Sequence, residues 1–330
     1  MYGDMTYPLR TWTQQGVKHV LKEVPGAQQQ GLLAPETRLY INNKPEPENI
    51  DLTSSEIDQW ESTVDNDGWA VPVTGYCKTG TRDVATPAVI YIHGGGWREG
   101  SMKDAHNSMR LLAQLSGAKV FNIEYRLAPE YMYPTATDDC WKVLRYVYNH
   151  AEELGVDPQR ITITGDSAGG NMAAVCAHRD RNQRRGMVAQ QILVYPVLAL
   201  AEPEYEDYHF SVSDYEWDDS EAEVIKGAIC ATARLRKELY LGPGDDPRSP
   251  DISPLLDKNL RELPKTILIC AEYDALTQQC REYARQLAGH GTDTTLMIYR
   301  GTVHGFMSRL GNIPQATDLI KEMARYANEI

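Results

Sequence analysis

The 330-residue sequence contains no long apolar segment. No stretch approaches the ~20 consecutive apolar residues that a membrane-spanning helix needs. The first twenty residues also contain no apolar run of the length found in a signal peptide. We therefore expect a protein without a membrane span.

Cysteine is sparse and irregularly spaced. The six cysteines have no Cys-x-x-Cys spacing: Cys77, Cys140, Cys176, Cys230, Cys270 and Cys280. In a chain of this length, the pattern argues against a disulfide framework and a zinc site and favours a reducing compartment, so we expect a cytoplasmic location. No other set of His, Cys, Asp and Glu has metal-ligand spacing, and we expect neither a metal nor another cofactor.

Basic residues are in the minority, with 33 Lys and Arg against 46 Asp and Glu, which gives a formal net charge of −13. The densest basic run, residues 179–185, includes an Asp and has the composition of a solvated helix end. Nucleic-acid partners need clustered Lys and Arg to contact phosphates, so this class is disfavoured. The charge fits a protein that acts on small, neutral or weakly charged molecules.

From residue 87 onward, strand patterns alternate with helix patterns. Short apolar runs predict strands at 88–92, 118–123, 161–164, 191–196, 266–270 and 294–299. Apolar spacings of three and four predict helices at 140–154, 169–178 and 277–288, followed by a C-terminal helix. This order predicts an α/β fold whose mostly parallel central sheet carries helices on both faces. Ligands of such sheets bind outside the carboxyl ends of the strands.

Two regions interrupt or precede that alternation. Residues 1–43 carry short helix-like patches, such as Val17, Val20 and Leu21, and residues 201–250 combine many acids with aromatic side chains. We interpret both as a cap over the strand ends, and a peripheral excursion is the alternative for the second. The expected division is an N-terminal cap segment at 1–60, the first half of the core at 61–200, a cap insertion at 201–250, and the second half at 251–330.

A Gly-Asp-Ser-Ala-Gly motif at residues 165–169 lies between a predicted strand and a predicted helix. In that context the motif predicts a sharp turn that exposes the nucleophile Ser167 at the top of the sheet, with small neighbours to relieve crowding. The positive end of the following helix favours developing negative charge. A glycine-rich turn with an incidental serine is the alternative. We expect Asp166 to brace this turn or to cap the helix.

A second glycine-rich motif, His-Gly-Gly-Gly at residues 93–96, also follows a strand directly. Consecutive glycines let the backbone approach a ligand and aim N–H groups at it, which suits the oxyanion of an acyl-transfer intermediate. A phosphate site is the alternative, but Glu99 breaks the dinucleotide pattern, and Asn171-Met172 stands where a P-loop needs Lys followed by Ser or Thr.

Two further polar residues follow predicted strands. Asp274 comes after the strand at 266–270, and His304 comes after the strand at 294–299. The chain order Ser, Asp, His is that of the α/β-hydrolase arrangement, in which His is the base and Asp orients it. Glu272 is an alternative acid. The other histidines outside the 93–96 motif lie at no strand end: His19, His106, His150, His178, His209 and His290.

The sequence resembles the hormone-sensitive-lipase-like branch of the α/β-hydrolase superfamily, the family IV esterases, over residues 85–310. The resemblance is carried by five motifs: residues 93–96, residues 125–130 (Tyr-Arg-Leu-Ala-Pro-Glu), residues 165–171, Asp274 with Leu276, and residues 304–306 (His-Gly-Phe). Gln278 stands where the family commonly has a second acid.

The resemblance implies an α/β-hydrolase fold with a helical cap, Ser167 as nucleophile, His304 as base and Asp274 as its orienter. It also implies that the oxyanion donors are the backbone N–H groups of Gly94, Gly95 and Ala168. Because the family often forms dimers, a homodimer is expected on the same grounds.

We therefore expect a serine carboxylesterase for short-to-medium acyl esters of small molecules. The alternatives are a deacetylase or amidase acting on acetylated sugars or drug-like amides, and a non-catalytic receptor on the same fold. The chain has 19 Tyr but only 3 Phe, a bias that nothing in the sequence explains. Some of these aromatic side chains are candidates for the walls of a shallow substrate pocket: Trp97, Tyr195, Tyr208 and Tyr215.

Overall fold

The computed structural model describes residues 16–22, 24, 49–201, 226–227 and 240–330. Tyr208 and Tyr215 lie outside the described residues, as does most of the expected cap insertion. Among the described residues, no helix is both long and apolar enough to cross a membrane. The five described cysteines are buried and form no disulfide with one another.

The described residues form a nine-stranded sheet. Its strands are β1 (Lys18–Lys22), β2 (Ile57–Asn66), β3 (Trp69–Lys78), β4 (Thr86–Ile92), β5 (Lys119–Ile123), β6 (Val156–Asp166), β7 (Gln190–Val194), β8 (Lys265–Tyr273) and β9 (Thr294–Val303). The spatial order is β1-β9-β8-β7-β6-β4-β5-β3-β2. Pairing is parallel from β1 to β5 and antiparallel at β3 and β2.

In the described part of the chain, five helices cover the two faces of this sheet: α1 (His106–Ser116), α2 (Thr135–Asn149), α3 (Ala168–Gln183), α4 (Leu276–Gly289) and α5 (Pro314–Asn328). Strand β4 shows why both faces are apolar. Ile90 and Ile92 lie in the cluster that contains α2, α3 and α4, whereas Val89 and Tyr91 lie in the cluster that contains α1 and α5. A strand buried on both faces requires a continuous apolar run. The α/β fold expected from the sequence, with a mostly parallel sheet and helices on both faces, is thus confirmed.

Three local predictions were wrong or incomplete. The patch around Val17, Val20 and Leu21 forms strand β1, because backbone pairing with the sheet edge at β9 outweighs its weak helical pattern. The hairpin β2–β3 has no counterpart among the predicted strands; it turns at Asp67 and Gly68, both with positive φ. Helix α2 ends at residue 149 and not near 154, and turns occupy the residues up to 155.

The carboxyl edge of the parallel strands brings the candidate site together. The loops or turns after β4, β6, β7, β8 and β9 all lie at this edge. Within the range expected to form an N-terminal cap, β1 is part of the sheet, and residues 25–48 lie outside the described residues.

Candidate active site

Ser167 lies in a strained turn between β6 and α3. Its φ of 55° and ψ of −116° are unusual for a residue with a side chain. The turn is possible because glycines flank it: a Cβ at Gly165 would lie 2.5 Å from the Gly169 carbonyl carbon, and one at Gly169 would lie 2.0 Å from the Ile92 oxygen. The Ser167 N–H donates to the Val194 oxygen at 2.9 Å, which ties the turn to β7. The sharp turn that the sequence predicts at Ser167 is present.

Helix α3 begins immediately after this serine and runs for 16 residues. The first N–H groups of an α-helix have no acceptor within the helix, and the N-terminus carries a partial positive charge. The Ala168 N–H is the first of these groups. It is therefore placed to donate to negative charge that develops beside Ser167.

A continuous chain of hydrogen bonds links Ser167 to the two other predicted residues. His304 Nε2 lies 2.9 Å from Ser167 Oγ, and His304 Nδ1 lies 2.6 Å from Asp274 Oδ2. Asp274 is fully buried, and its other oxygen accepts the Leu276 N–H at 3.0 Å. We assign the proton to Nδ1, which donates to the carboxylate and leaves Nε2 to accept the serine proton.

The electrostatic setting raises the basicity of the imidazole. Burial alone would lower the pKa of His304, but the charge and hydrogen bond of Asp274, together with the charge of Asp166, outweigh it and raise the pKa above 6.5. The Tyr195 ring lies 4.8 Å from the imidazole and covers it on one side. Asp274 therefore holds the imidazole of His304 by a hydrogen bond and is the main cause of its raised pKa.

Glu272, the alternative acid, has a different partner. Its Oε2 accepts the Gly301 N–H at 2.7 Å, which ties the end of β8 to the segment that leads to His304. Burial raises the pKa of this carboxyl. His304 pairs with Asp274, and Glu272 instead holds the end of β9 through the Gly301 N–H.

In the loop at residues 93–96, one of the expected oxyanion donors, Gly94, already has an acceptor. The Gly94 N–H donates to Asp166 Oδ1 at 2.7 Å, so it is not available to a reacting oxygen. The N–H groups of Gly95 and Gly96 have no acceptor within the described part of the chain. Both residues have positive φ, 119° and 59°. Gly96 therefore replaces Gly94 beside Gly95 and Ala168 as a candidate donor. Three consecutive glycines in the sequence do not indicate which of their N–H groups is left without an acceptor.

The first residue of this loop, His93, packs against Tyr125. Their rings stack at 4.2 Å, and the Tyr125 hydroxyl donates to the His93 carbonyl oxygen at 2.9 Å. His93 Nδ1 lies 2.7 Å from the Gly94 oxygen. These contacts give Tyr125 a structural role at the glycine loop.

The two described residues of the predicted pocket are both buried. Trp97 stacks on Tyr240 with ring centroids 4.4 Å apart, and Tyr133 meets Tyr240 edge to face. Tyr195 packs against His304 and Phe306. Trp97 thus links the glycine loop to Tyr240, the first residue of the described range 240–330. Across the described residues, no group of three or more His, Cys, Asp or Glu side chains could hold a metal ion.

Comparison with known proteins identifies the family. Residues 89–308 match the family described as alpha/beta hydrolase fold. The chain is 33% identical over 263 residues to carboxylesterase NlhH of Mycobacterium tuberculosis, covering 78% of each protein. It is 32% identical to an ethyl acetate hydrolase of Pseudomonas putida, covering 78% of this chain and 77% of that protein.

A solved structure shows the same architecture. The thermophilic carboxylesterase EstE1, cloned from a metagenomic library, superposes with a TM-score of 0.72 at 30% identity, over 84% of this chain and 90% of that one. These matches confirm the resemblance drawn from the five motifs. The chain belongs to the α/β-hydrolase family, among its carboxylic ester hydrolases.

Proposed function

We propose that the protein is a serine carboxylesterase in which Ser167 is the nucleophile, His304 the general base and Asp274 its orienting acid. The observation that carries the proposal is the unbroken chain of hydrogen bonds from Asp274 through His304 to Ser167, with contacts of 2.6 and 2.9 Å. This chain of hydrogen bonds ends at Ser167, which lies in a strained turn at the N-terminus of α3.

The proposed reaction has two halves. Ser167 attacks the ester carbonyl while His304 Nε2 takes its proton, and the N–H groups of Gly95, Gly96 and Ala168 hold the oxyanion. His304 then protonates the departing alcohol, which leaves an acyl-enzyme. Water, deprotonated by His304, attacks the acyl group, and the acid departs as Ser167 recovers its proton.

The proposed substrates are short-to-medium acyl esters of small molecules. One relative is named an ethyl acetate hydrolase, after the ester of a short acyl group, and another is named an arylesterase. The net charge of −13 also suits neutral or weakly charged substrates. A pocket of limited depth stays a prediction from the sequence; Trp97 and Tyr195, expected in its walls, are both buried. A homodimer and a cytoplasmic location stay predictions from the sequence.

The test is a rate series over p-nitrophenyl acetate, butyrate, octanoate and palmitate, run with the wild type and with Ser167→Ala. We expect the highest kcat/KM at acetate or butyrate. We expect the variant to lose about 10⁴–10⁶-fold in kcat, because the members of a triad act as a unit. A peak at palmitate contradicts the acyl-length proposal, and near-native hydrolysis by Ser167→Ala contradicts the nucleophile.

Two measurements separate the alternatives. Comparing kcat/KM for phenyl acetate and acetanilide distinguishes an esterase from an amidase or deacetylase, and we expect the ester to be strongly preferred. A fluorophosphonate probe distinguishes an enzyme from a receptor on the same fold. We expect the probe to label the wild type at Ser167 and not to label Ser167→Ala.

A further inference from the structure

Asp166 joins the serine turn to the glycine loop through a single carboxylate oxygen. Oδ1 accepts the Gly94 N–H at 2.7 Å and the Tyr91 hydroxyl at 2.6 Å. Asp166 directly precedes Ser167, and Gly94 directly precedes Gly95. One carboxylate therefore fixes, relative to each other, the two chain segments that carry the nucleophile and the candidate oxyanion donors.

The approach of the two segments is unusually close. A Cβ at Gly94 would lie 2.5 Å from Asp166 Oδ2 and 2.9 Å from the Asp166 carbonyl oxygen, so only glycine fits there. Three consecutive glycines have the greatest backbone freedom of any tripeptide. Hydrogen bonds to an ionised carboxylate are stronger than those between neutral groups. The bond from Gly94 thus restrains a loop that its own sequence leaves flexible.

We propose that Asp166 is a positioning residue for the oxyanion site: by holding the Gly94 peptide, it directs the Gly95 and Gly96 N–H groups to the same point as that of Ala168. This inference rests on the proposed function. Donors that stabilise an oxyanion are effective because they are oriented before the reaction begins. Tyr91, which is buried in β4, holds the carboxylate in turn.

The Asp166 carboxylate also acts on the base through its charge. Burial raises the pKa of Asp166, while the hydrogen bonds from Tyr91 and Gly94 and the nearby His93 and His304 act to lower it. The titratable groups that face His304 are Asp274, Asp166 and the covering Tyr195. Removing the Asp166 charge is therefore expected to lower the pKa of His304.

Two substitutions separate geometry from charge. Asp166→Asn keeps an oxygen that can accept from Gly94 and Tyr91 but has no charge, whereas Asp166→Ala removes both. For Asp166→Ala we expect a kcat loss of about 10²-fold, at the lower end of that for a lost oxyanion donor, with KM little changed. For Asp166→Asn we expect a smaller loss of kcat and a shift of the acid limb of the kcat/KM profile to lower pH.

Asp180, on the helix that follows Ser167, offers a matched control. It is a buried carboxylate whose Oδ2 accepts the Val188 N–H at 2.9 Å, and burial raises its pKa, as for Asp166. It lies 13 residues beyond Ser167 along the chain, or ~20 Å at 1.5 Å per helical residue. Asp180→Ala and Asp180→Asn should lower Tm without moving the pH profile.

The direct probe is an aryl trifluoromethyl ketone, which adds to the serine and places an oxyanion in the site. We expect its Ki to rise in Asp166→Ala by about the same factor as kcat falls, and to stay unchanged in the Asp180 variants. If Asp166→Ala does not fold, Tyr91→Phe, which removes one of the two donors to Oδ1, should raise the Ki by a smaller factor, and Asp166→Asn still tests the pH shift.

The inference is overturned if the Asp166 variants match the Asp180 variants in ketone affinity and in pH profile. That outcome leaves the proposed function intact as long as the fluorophosphonate labels Ser167 in the wild type. Failure of that labelling, with Ser167→Ala still active, instead overturns the proposed function itself.

Discussion

The described residues contain two chains of hydrogen bonds with the same order of groups: a carboxylate, an imidazole and a hydroxyl. At the carboxyl edge of the sheet, Asp274, His304 and Ser167 are joined by contacts of 2.6 and 2.9 Å. Between α3 and α4, His178 Nδ1 lies 3.0 Å from Asp257 Oδ2, and His178 Nε2 lies 2.7 Å from the Tyr283 hydroxyl. We call the second set the buried His178 cluster.

The two sets differ in what surrounds the imidazole. Asp257 also accepts a hydrogen bond from Arg181 at 2.7 Å, so its negative charge is shared with a fixed cation. Burial lowers the pKa of His178, and the pairing with Asp257 does not reverse this, whereas the pKa of His304 is raised. The hydroxyl of the buried cluster belongs to a tyrosine in mid-helix, without a strained turn or unpaired N–H groups beside it.

The difference shows that an Asp-His-hydroxyl geometry does not by itself make a catalytic site. The site at Ser167 adds a strained turn, a helix N-terminus and a glycine loop. The buried His178 cluster adds an arginine, and its histidine is 2% exposed. The first arrangement can stabilise changing charge on a substrate, while the second satisfies buried polar groups between helices α3 and α4.

The largest expected effect comes from changing the acid of each set to its amide. Asp274→Asn should lower kcat by about 10⁴-fold, because the amide favours the wrong imidazole tautomer and removes the charge that stabilises the imidazolium. Asp257→Asn should leave kcat/KM within about twofold and lower Tm. The measurement is steady-state hydrolysis of p-nitrophenyl butyrate beside a thermal melt.

This comparison has a clear contrary result. If Asp274→Asn kept most of the activity with an unchanged Tm, Asp274 would not be the orienting acid. Glu272, which accepts a hydrogen bond from the Gly301 N–H, would then be the residue to substitute next. A large loss of kcat in Asp257→Asn with no loss of stability would mean that the two sets are coupled.

The second prediction separates the two histidines by pH. Protonated His304 cannot accept the serine proton, so kcat/KM should fall with decreasing pH along a limb centred above 6.5, in line with its raised pKa. His178 has a lowered pKa in the folded protein. Just below pH 6.5, His178 is therefore neutral in the folded protein but binds a proton in the unfolded chain. Its contribution to stability is therefore present above about pH 6.5 and is lost as the pH falls below that value.

The measurement is kcat/KM and Tm over the same range of pH, for the wild type and for His178→Gln. We expect the variant to be less stable, with a weaker dependence of Tm on pH, and the limb of its kcat/KM profile to be unchanged. If the substitution at His178 moved the kinetic limb, the assignment of that limb to His304 would fail.

The sequence was sufficient to predict the parallel core and the three residues that the structure brings together. Continuous apolar runs mark strands that are buried on both faces, and the carboxyl ends of parallel strands share one edge. Ser167, Asp274 and His304 could therefore be placed together without coordinates. The residues that sequence spacing could not place are those whose role depends on a contact between distant segments.

Gly94 and His178 illustrate this limit. Nothing in the run His-Gly-Gly-Gly says that the first glycine N–H turns back to Asp166, because that depends on how two loops pass each other. His178 lies at no strand end, yet it pairs with Asp257 and Tyr283, which are 79 and 105 residues away along the chain. Strand β1 was missed for a similar reason, since the pairing with β9 decides its conformation.

The smallest expected effect is on the hydroxyl of the buried His178 cluster. Tyr283→Phe removes the partner of His178 Nε2 and leaves a buried ring nitrogen without its hydrogen bond, which should cost about 1–3 kcal/mol of unfolding free energy. The same variant should keep kcat and KM of the wild type, because Tyr283 lies between helices and not at the carboxyl edge. Urea unfolding and steady-state kinetics on one preparation measure both quantities. A free energy of unfolding equal to that of the wild type would show that His178 needs no partner at Nε2. Altered kinetics would show that a change in packing at Tyr283 on α4 moves the loop that carries Asp274.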